Sequence, residues 1–158
     1  MNKALEICAR EGIEVHMDKS PEELAEIFDA PCYPFREGGG YQRGAKGNIS
    51  SSIIALAKGF NDEKEKEITL WHELGHAMHP LGSTNISTFT RELAANTWAL
   101  ANYEGGLTTE EVIEGLSTQI LGYINAGYFD ALNDEELKNT ARILKVYDMI
   151  TWVGVNNG

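Results

Sequence analysis

The order of the secondary-structure patterns along this 158-residue chain predicts a single α+β domain. Strand-like stretches lie in the first sixty residues and helical patterns follow them, which is the order of an α+β fold and not of a doubly wound sheet. The length suffices for one domain with its own hydrophobic core. Hydrophobic residues make up 42% of the chain and charged residues 23%. These ordinary fractions argue against global disorder.

Turn and capping residues divide the first sixty residues into short elements. Gly12 ends a helical pattern, and Ser20 followed three residues later by Glu23 has the spacing of a capping box. Glycine and proline are frequent from Pro31 onward, which is typical of a loop or of a loop that contains a short hairpin. The predicted elements are a helix over 3–11, a strand over 13–17, a helix over 21–29, a loop over 31–52 and a buried strand over 52–60.

The rest of the chain is predicted to be helical. A capping residue precedes a glutamate by three positions in three pairs, which are Asp62–Glu65, Thr108–Glu111 and Asn133–Glu136. Pro80 ends the first of these helices. The predicted helices cover about 62–78 and 88–103, and a helical C-terminal part covers 108–153.

The charge of the chain bears on its partners. It has 13 basic and 24 acidic side chains, a formal net charge of −11. A nucleic-acid surface needs clustered Lys and Arg, so direct nucleic-acid binding is not expected, whereas a basic protein partner fits this charge. No stretch has the apolar core of a signal peptide or the roughly 18 apolar residues of a membrane span. Cys8 and Cys32 are expected to be reduced in a cytoplasmic protein, with one disulfide as the alternative.

The stretch TLWHELGHAMHP, residues 69–80, places two histidines four positions apart with a glutamate after the first. Such positions lie one turn apart on the same side of a helix, so His72 and His76 can both reach one ion at the ~2.0–2.1 Å of a Zn–N bond. Glu73 lies on the flank of that stripe, where a base that activates water must be. A buried helix with a chance motif is the alternative, but unpartnered buried histidines would be costly. The motif therefore predicts one Zn²⁺ per chain.

His79 is a poor third ligand. It lies seven positions from His72, a rise of about 10 Å along the helix, so one zinc ion cannot bind both. A histidine at the end of a helix also fits a favourable C-terminal charge. The long histidine spacing of the metzincins would require a histidine at position 82, where this chain has Gly82. The third ligand must therefore come from another element.

The helical pattern over 90–104 supplies the candidate. Ala95 is small, so this helix can approach the metal helix closely at Gly75. Glu92 would then project toward the two histidines. Asn96, one turn on, would accept the ring N–H of a ligating histidine and fix its tautomer. The alternative is an exposed glutamate on an amphipathic helix.

The stretch HELGH (72–76) followed by ELAANTWA (92–99) resembles the ImmA/IrrE family of metallopeptidases, which belongs to the gluzincin-like group. The second stretch looks like the family's E-x-x-A-N-x-F-A pattern, with Trp98 in the place of Phe. The likeness covers about residues 3–103. It implies a small zincin-like domain in which a short mixed sheet packs on the HExxH helix, with further helices toward the C-terminus.

The resemblance also implies a function. It places the zinc ligands at His72, His76 and Glu92 and the general base at Glu73 of a cytoplasmic protease. Known members of the family act on helix-turn-helix repressors, often of phages or mobile elements, so a transcriptional repressor is the expected protein substrate. Ala94 departs from the acidic residue that the family usually has before Ala-Asn, which leaves the substrate open.

Further expectations concern how a peptide is held. A peptide can pair with a free strand edge. The candidate is Ala55, Leu56 and Ala57 in the strand before the metal helix; the alternative is a central strand with both edges taken. The glycine-rich stretch 36–47 is expected to border the active site, against the alternative of a solvated loop. The candidates for stabilising the oxyanion are Tyr103, Tyr123, Tyr128 and His79.

Two other functions compete with peptide hydrolysis. A zincin-fold module could sequester a regulator without cutting it, but loss of Glu73 would be expected in such a module. A structural metal site is disfavoured because three protein ligands leave one coordination position open, whereas structural zinc sites are usually closed. Zinc-dependent endopeptidase activity is therefore the leading hypothesis.

Overall fold

The computed structural model describes residues 2–29, 39–42, 50–60, 62–78 and 88–125. In these ranges it has an α+β fold, as predicted. The elements are α1 (Asn2–Glu11), β1 (Glu14–Lys19), α2 (Pro21–Ile27), β2 (Gly39–Gln42), β3 (Ile53–Ala57), α3 (Glu63–Met78), α4 (Thr88–Asn102) and α5 (Thr109–Asn125). None of these helices is both long and apolar enough to cross a membrane. The helix predicted to begin at Asn133 lies outside the described residues.

The three strands form one mixed sheet in the order β1–β3–β2. β1 runs parallel to β3, and β2 runs antiparallel to it. The predicted short mixed sheet is therefore present. Of the stretch 31–52, predicted as a loop or as a loop that contains a short hairpin, residues 39–42 form β2 and pair antiparallel with β3. Two glycines open β2, so it has no side-chain alternation to recognise, and its extended shape comes from pairing with β3. The remainder of the glycine-rich stretch 36–47 lies outside the described residues.

β3 is shorter than the apolar run 52–60 that predicted it. The N–H of Lys58 still donates to the carbonyl of Lys19 at 2.9 Å, but Gly59 has a φ of +93°. That left-handed conformation is open to glycine and strained for other residues. The chain therefore leaves the sheet at this point and turns toward α3, and Phe60 does not extend the strand.

Side-chain caps set where the helices begin. Ser20 and Glu23 form a reciprocal capping box at α2, with both hydrogen bonds 3.1 Å long. Thr108 and Glu111 form another at α5, with bonds of 3.0 and 3.2 Å. The carboxylate of Asp62 accepts the N–H three residues on at 2.7 Å and so caps α3. The three predicted caps that fall within the described residues are confirmed, because each depends only on side chains within one turn of the backbone they satisfy.

α3 is the central helix of the core. It packs on the sheet and α1 and also contacts α4 and α5, and 11 of its 16 residues are buried. One of them is Lys66, whose ammonium donates to the carboxylate of Asp18 at 2.6 Å. Asp18 has a φ of +57° and sits at the irregularity in the β1–β3 pairing. A buried ammonium without a partner would be costly, so this pair ties α3 to β1.

α3 and α4 meet backbone to backbone at Gly75. A Cβ built on Gly75 would lie 2.2 Å from the carbonyl oxygen of Ala95 and 2.8 Å from its carbonyl carbon. No side chain of any kind fits that space. The close approach predicted from Gly75 and Ala95 is confirmed, and it brings Glu92 and Asn96 of α4 against the last two turns of α3.

Candidate metal centre

The helix contact places three potential ligands together. The Nε2 atoms of His72 and His76 lie 2.7 and 2.9 Å from the same oxygen of Glu92, Oε2. The two imidazole rings are nearly perpendicular, with centroids 4.8 Å apart. His72 is 4% exposed, and the other two side chains are half-buried. The glutamate predicted as the third ligand is thus brought to both histidines.

Asn96 supports His72 from the next turn of α4. Its side chain is fully buried, and its Oδ1 lies within hydrogen-bond distance of Nδ1 of His72. An amide oxygen only accepts hydrogen bonds, so Nδ1 carries the proton. In the neutral ring, Nε2 then carries the free lone pair, which is directed toward Glu92 and His76. This is the orienting contact predicted for Asn96.

The electrostatics of the cluster are those of a buried ion pair. Burial by itself would lower the pKa of His72, but the charge of Glu92 and its hydrogen bond, aided by Glu73 and Asn96, outweigh burial and raise that pKa to about 9. Burial would raise the pKa of Glu92, but the two histidines lower it well below its ordinary value. Without a metal at neutral pH, the imidazolium of His72 therefore pairs with the carboxylate of Glu92.

Glu73 stands beside this cluster and not in it. Its Oε1 lies 4.0 Å from Nε2 of His72, and the residue is 7% exposed. Burial raises the pKa of its carboxyl above the ordinary value, although His72 and His76 partly oppose the shift. A carboxylate with a raised pKa accepts a proton more readily than an exposed one. The flanking position predicted for Glu73 is the one it occupies.

The donor set fits zinc. Two imidazole nitrogens and one carboxylate oxygen are the protein ligands of one class of catalytic zinc site, and they leave a fourth position open. The ligand atoms of His72, His76 and Glu92 all lie within 4.8 Å of one another. Tetrahedral bonds of ~2.0–2.2 Å keep ligand atoms about 3.3 Å apart. The histidine–glutamate contacts would thus lengthen by roughly half an ångström around the ion.

Zinc binding is expected to release a proton at neutral pH. Zinc needs the neutral imidazole of His72, whereas the pKa of about 9 keeps this ring protonated in the metal-free protein at pH 7. The apparent zinc affinity should therefore rise about tenfold per pH unit below pH 9, or about 30-fold between pH 6.5 and 8.0. Calorimetric titration in two buffers of different ionisation enthalpy measures the released protons. An affinity that is flat over this range would contradict the protonated pair.

The structure corrects the prediction that Ala55, Leu56 and Ala57 hold a substrate backbone. β3 is the central strand, so Ala55 has His16 on one side and Gly40 on the other. Leu56 pairs with Gly39, and Ala57 pairs with Lys19. The alternative of a central strand is the observed one, with both edges taken at Ala55. Apolar residues on both faces of a strand indicate burial between neighbours, and that signal was already in the run IIALA.

Among the oxyanion candidates, Tyr103 is contradicted. It follows the last residue of α4, and its hydroxyl pairs with Oγ1 of Thr109 at 2.8 Å. Eleven residues separate it from Glu92, which is a distance of about 16 Å along a helix. His79 and Tyr128 lie outside the described residues. Tyr123 lies in α5, but its side chain is not among those described.

Comparison of the chain with protein-family models, with curated proteins and with solved structures finds no match. Any assignment of function therefore depends on the geometry of this centre and on the sequence motifs that form it.

Proposed function

We propose that this chain is a zinc-dependent endopeptidase with a zincin-like domain that hydrolyses a peptide bond in a specific protein. One observation carries the proposal: two helices bring His72, His76 and Glu92 to one point, while the buried carboxylate of Glu73 stands 4.0 Å from the nearer histidine. A buried histidine pair that served only the core would not require a second carboxylate of raised pKa beside it.

The residues of the site have distinct roles in this reaction. His72, His76 and Glu92 would hold the zinc, and Asn96 would keep His72 oriented with Nε2 toward it. When bound, zinc acts as a Lewis acid that polarises a carbonyl and makes water acidic enough to ionise near neutral pH. Glu73 accepts the proton that water loses as its oxygen bonds to the peptide carbonyl carbon. Glu73 then gives that proton to the departing amine as the C–N bond breaks.

The sequence resemblance supports the substrate class. HELGH and ELAANTWA are similar to the motifs of ImmA/IrrE metallopeptidases, and this resemblance suggests a cytoplasmic enzyme whose substrate is a helix-turn-helix repressor of a phage or mobile element. An acidic chain of net charge −11 suits a basic partner such as a DNA-binding protein. Direct binding to DNA and association with a membrane are not part of the proposal.

The strand topology suggests where the substrate backbone lies. β3 has neighbours on both sides, whereas β2, within the described residues, has a neighbour only on its β3 side. β2 also contacts α3, which carries the two histidines. An extended peptide could therefore add to the sheet at the outer edge of β2, where its main chain would pair with Gly39–Gln42.

The protein is expected to bind one zinc ion per chain. Glu92→Ala should weaken zinc binding by at least about 100-fold, because it removes the only charged ligand of the proposed set. His79→Ala is the matched control and should leave the affinity within about twofold, since its spacing of seven positions from His72 in the sequence predicts that it does not share the ion. Metal analysis and competition with a chromophoric chelator measure both variants. Retention of zinc by Glu92→Ala, together with its loss in His79→Ala, would show that the wrong third ligand was chosen.

A further inference from the structure

A groove separates α5 from the segment that joins β3 to α3. Its volume is about 740 Å³, which lies in the size range of ligand-binding clefts. Phe60, Ile68 and Gly115 are among its lining residues and provide an apolar floor. α5 approaches α3 closely at Gly115, where an added Cβ would lie 2.5 Å from Cδ1 of Ile68. The groove is therefore a feature of the packing between α3 and α5.

The rim of the groove is charged. Its ionisable lining residues are Asp62, Glu65, Glu111, Glu114, Lys58 and Lys64. The ammonium of Lys64 is paired with the carboxylate of Glu111, and Lys58 lies within electrostatic reach of Glu23 outside the groove. Asp62 is occupied as the cap of α3. Lys64 is thus neutralised by Glu111, and the four acidic and two basic side chains give the rim a net charge of −2.

Two carboxylates of the rim remain unpaired within the described residues. Glu65 and Glu114 are exposed, and within the described part of the chain their carboxylates have neither an ion-pair nor a hydrogen-bond partner. An acidic residue in the first turn of a helix stabilises that helix, which accounts for Glu65 in α3. It does not account for Glu114, which lies beyond the first turn of α5. Two unneutralised carboxylates over an apolar floor are complementary to a cation that adjoins an apolar side chain.

We propose that this groove is a docking site for a segment of the protein substrate that carries an apolar side chain next to a lysine or arginine. The apolar side chain occupies the floor beside Ile68, and the cation pairs with Glu65 and Glu114. The identification of this occupant as part of the substrate rests on the proposed function.

The groove is close to the metal centre along α3. Ile68 precedes His72 by four residues, which is one turn and a rise of about 6 Å. A bound polypeptide advances about 3.3 Å per residue when extended. Docking in the groove and cleavage at the centre therefore involve positions of the substrate only a few residues apart.

The test uses the full chain as Glu73→Gln, labelled with ¹⁵N, and a blocked pentapeptide in which a central leucine is flanked by two lysines and by terminal glycines. NMR titration should shift amide signals of residues 57–69 and 111–118. Glu65→Gln combined with Glu114→Gln should weaken binding about fivefold, as expected for two exposed ion pairs. Glu22→Gln combined with Glu26→Gln on α2 removes the same charge elsewhere and should change the affinity less than twofold.

Two further peptides separate this site from general attraction to an acidic protein. Replacement of the two lysines by glutamates, or of the leucine by glycine, should abolish the shifts in the groove. Shifts scattered over the surface, equal binding of the glutamate peptide, or no binding of the lysine peptide at millimolar concentration would overturn the proposal. Binding is measured here without hydrolysis. If the peptide binds in the groove but the wild-type protein never cleaves a protein, only the proposed peptidase activity is refuted.

Discussion

Glu73→Gln is expected to reduce peptide hydrolysis by about 10³-fold or more in kcat/KM while leaving zinc bound. A general base contributes on the order of 10²- to 10⁴-fold to such a reaction, and an amide of the same shape cannot accept the proton. Glu73 lies beside the three proposed zinc ligands and is not one of them. The substitution should therefore separate chemistry from metal binding, which a histidine variant cannot do.

The measurement compares new N-termini that wild type and variant generate in a lysate of the source cell, with zinc content determined for both. Glu63→Gln is the matched control, because Glu63 is an exposed glutamate in the first turn of the same helix. It should retain full activity. If Glu73→Gln cleaves at the normal rate, Glu73 is not the general base. A zinc-loaded wild type that retains a partner without cutting it would favour a sequestering module.

Gly75→Ala is expected to destabilise the fold by about 3 kcal/mol, at the upper end of the cost of overpacking. The same substitution within an ordinary helix stabilises it by up to about 1 kcal/mol, so the sign is diagnostic. The new methyl group would lie 2.2 Å from the carbonyl oxygen of Ala95, and a backbone atom cannot rotate away. α4 must then move outward, and it carries Glu92 and Asn96 with it. Zinc affinity should fall with stability, because both residues act on His72.

Gly115→Ala provides the control for this effect. It also adds one methyl group within a helix, but its close contact is with Cδ1 of Ile68 at 2.5 Å. That atom is the end of a side chain that can change rotamer, so we expect a change in the free energy of unfolding within about 1 kcal/mol. Urea unfolding and zinc titration of both variants test the comparison. If Gly75→Ala is as stable as wild type, the helices do not meet as closely as described.

Much of this fold could be predicted because it depends on neighbours in the chain. The capping boxes at Ser20 and Thr108 satisfy backbone groups within one turn, so their spacing alone is sufficient. The helical period alone places His72 and His76 on one side of α3. The small residues Gly75 and Ala95 also indicated the helix contact, and from it the position of Glu92.

Features that depend on distant partners could not be predicted in the same way. The glycines of β2 have no pattern of their own, and only pairing with β3 makes them a strand. That pairing also makes β3 the central strand, with both edges taken at Ala55. Tyr103 was a candidate for stabilising the oxyanion. It lies about three helical turns from Glu92 along α4, and its hydroxyl forms a hydrogen bond with Thr109.

The sequence by itself determined the helix caps, the spacing of the two histidines and the acidic character of the chain, because these properties depend on residues within a turn or on composition. Only the tertiary structure decided which strand is central in the described sheet and where the groove beside Ile68 forms. These follow from packing between elements far apart in the chain. One Cβ at Gly75 would be enough to change that packing.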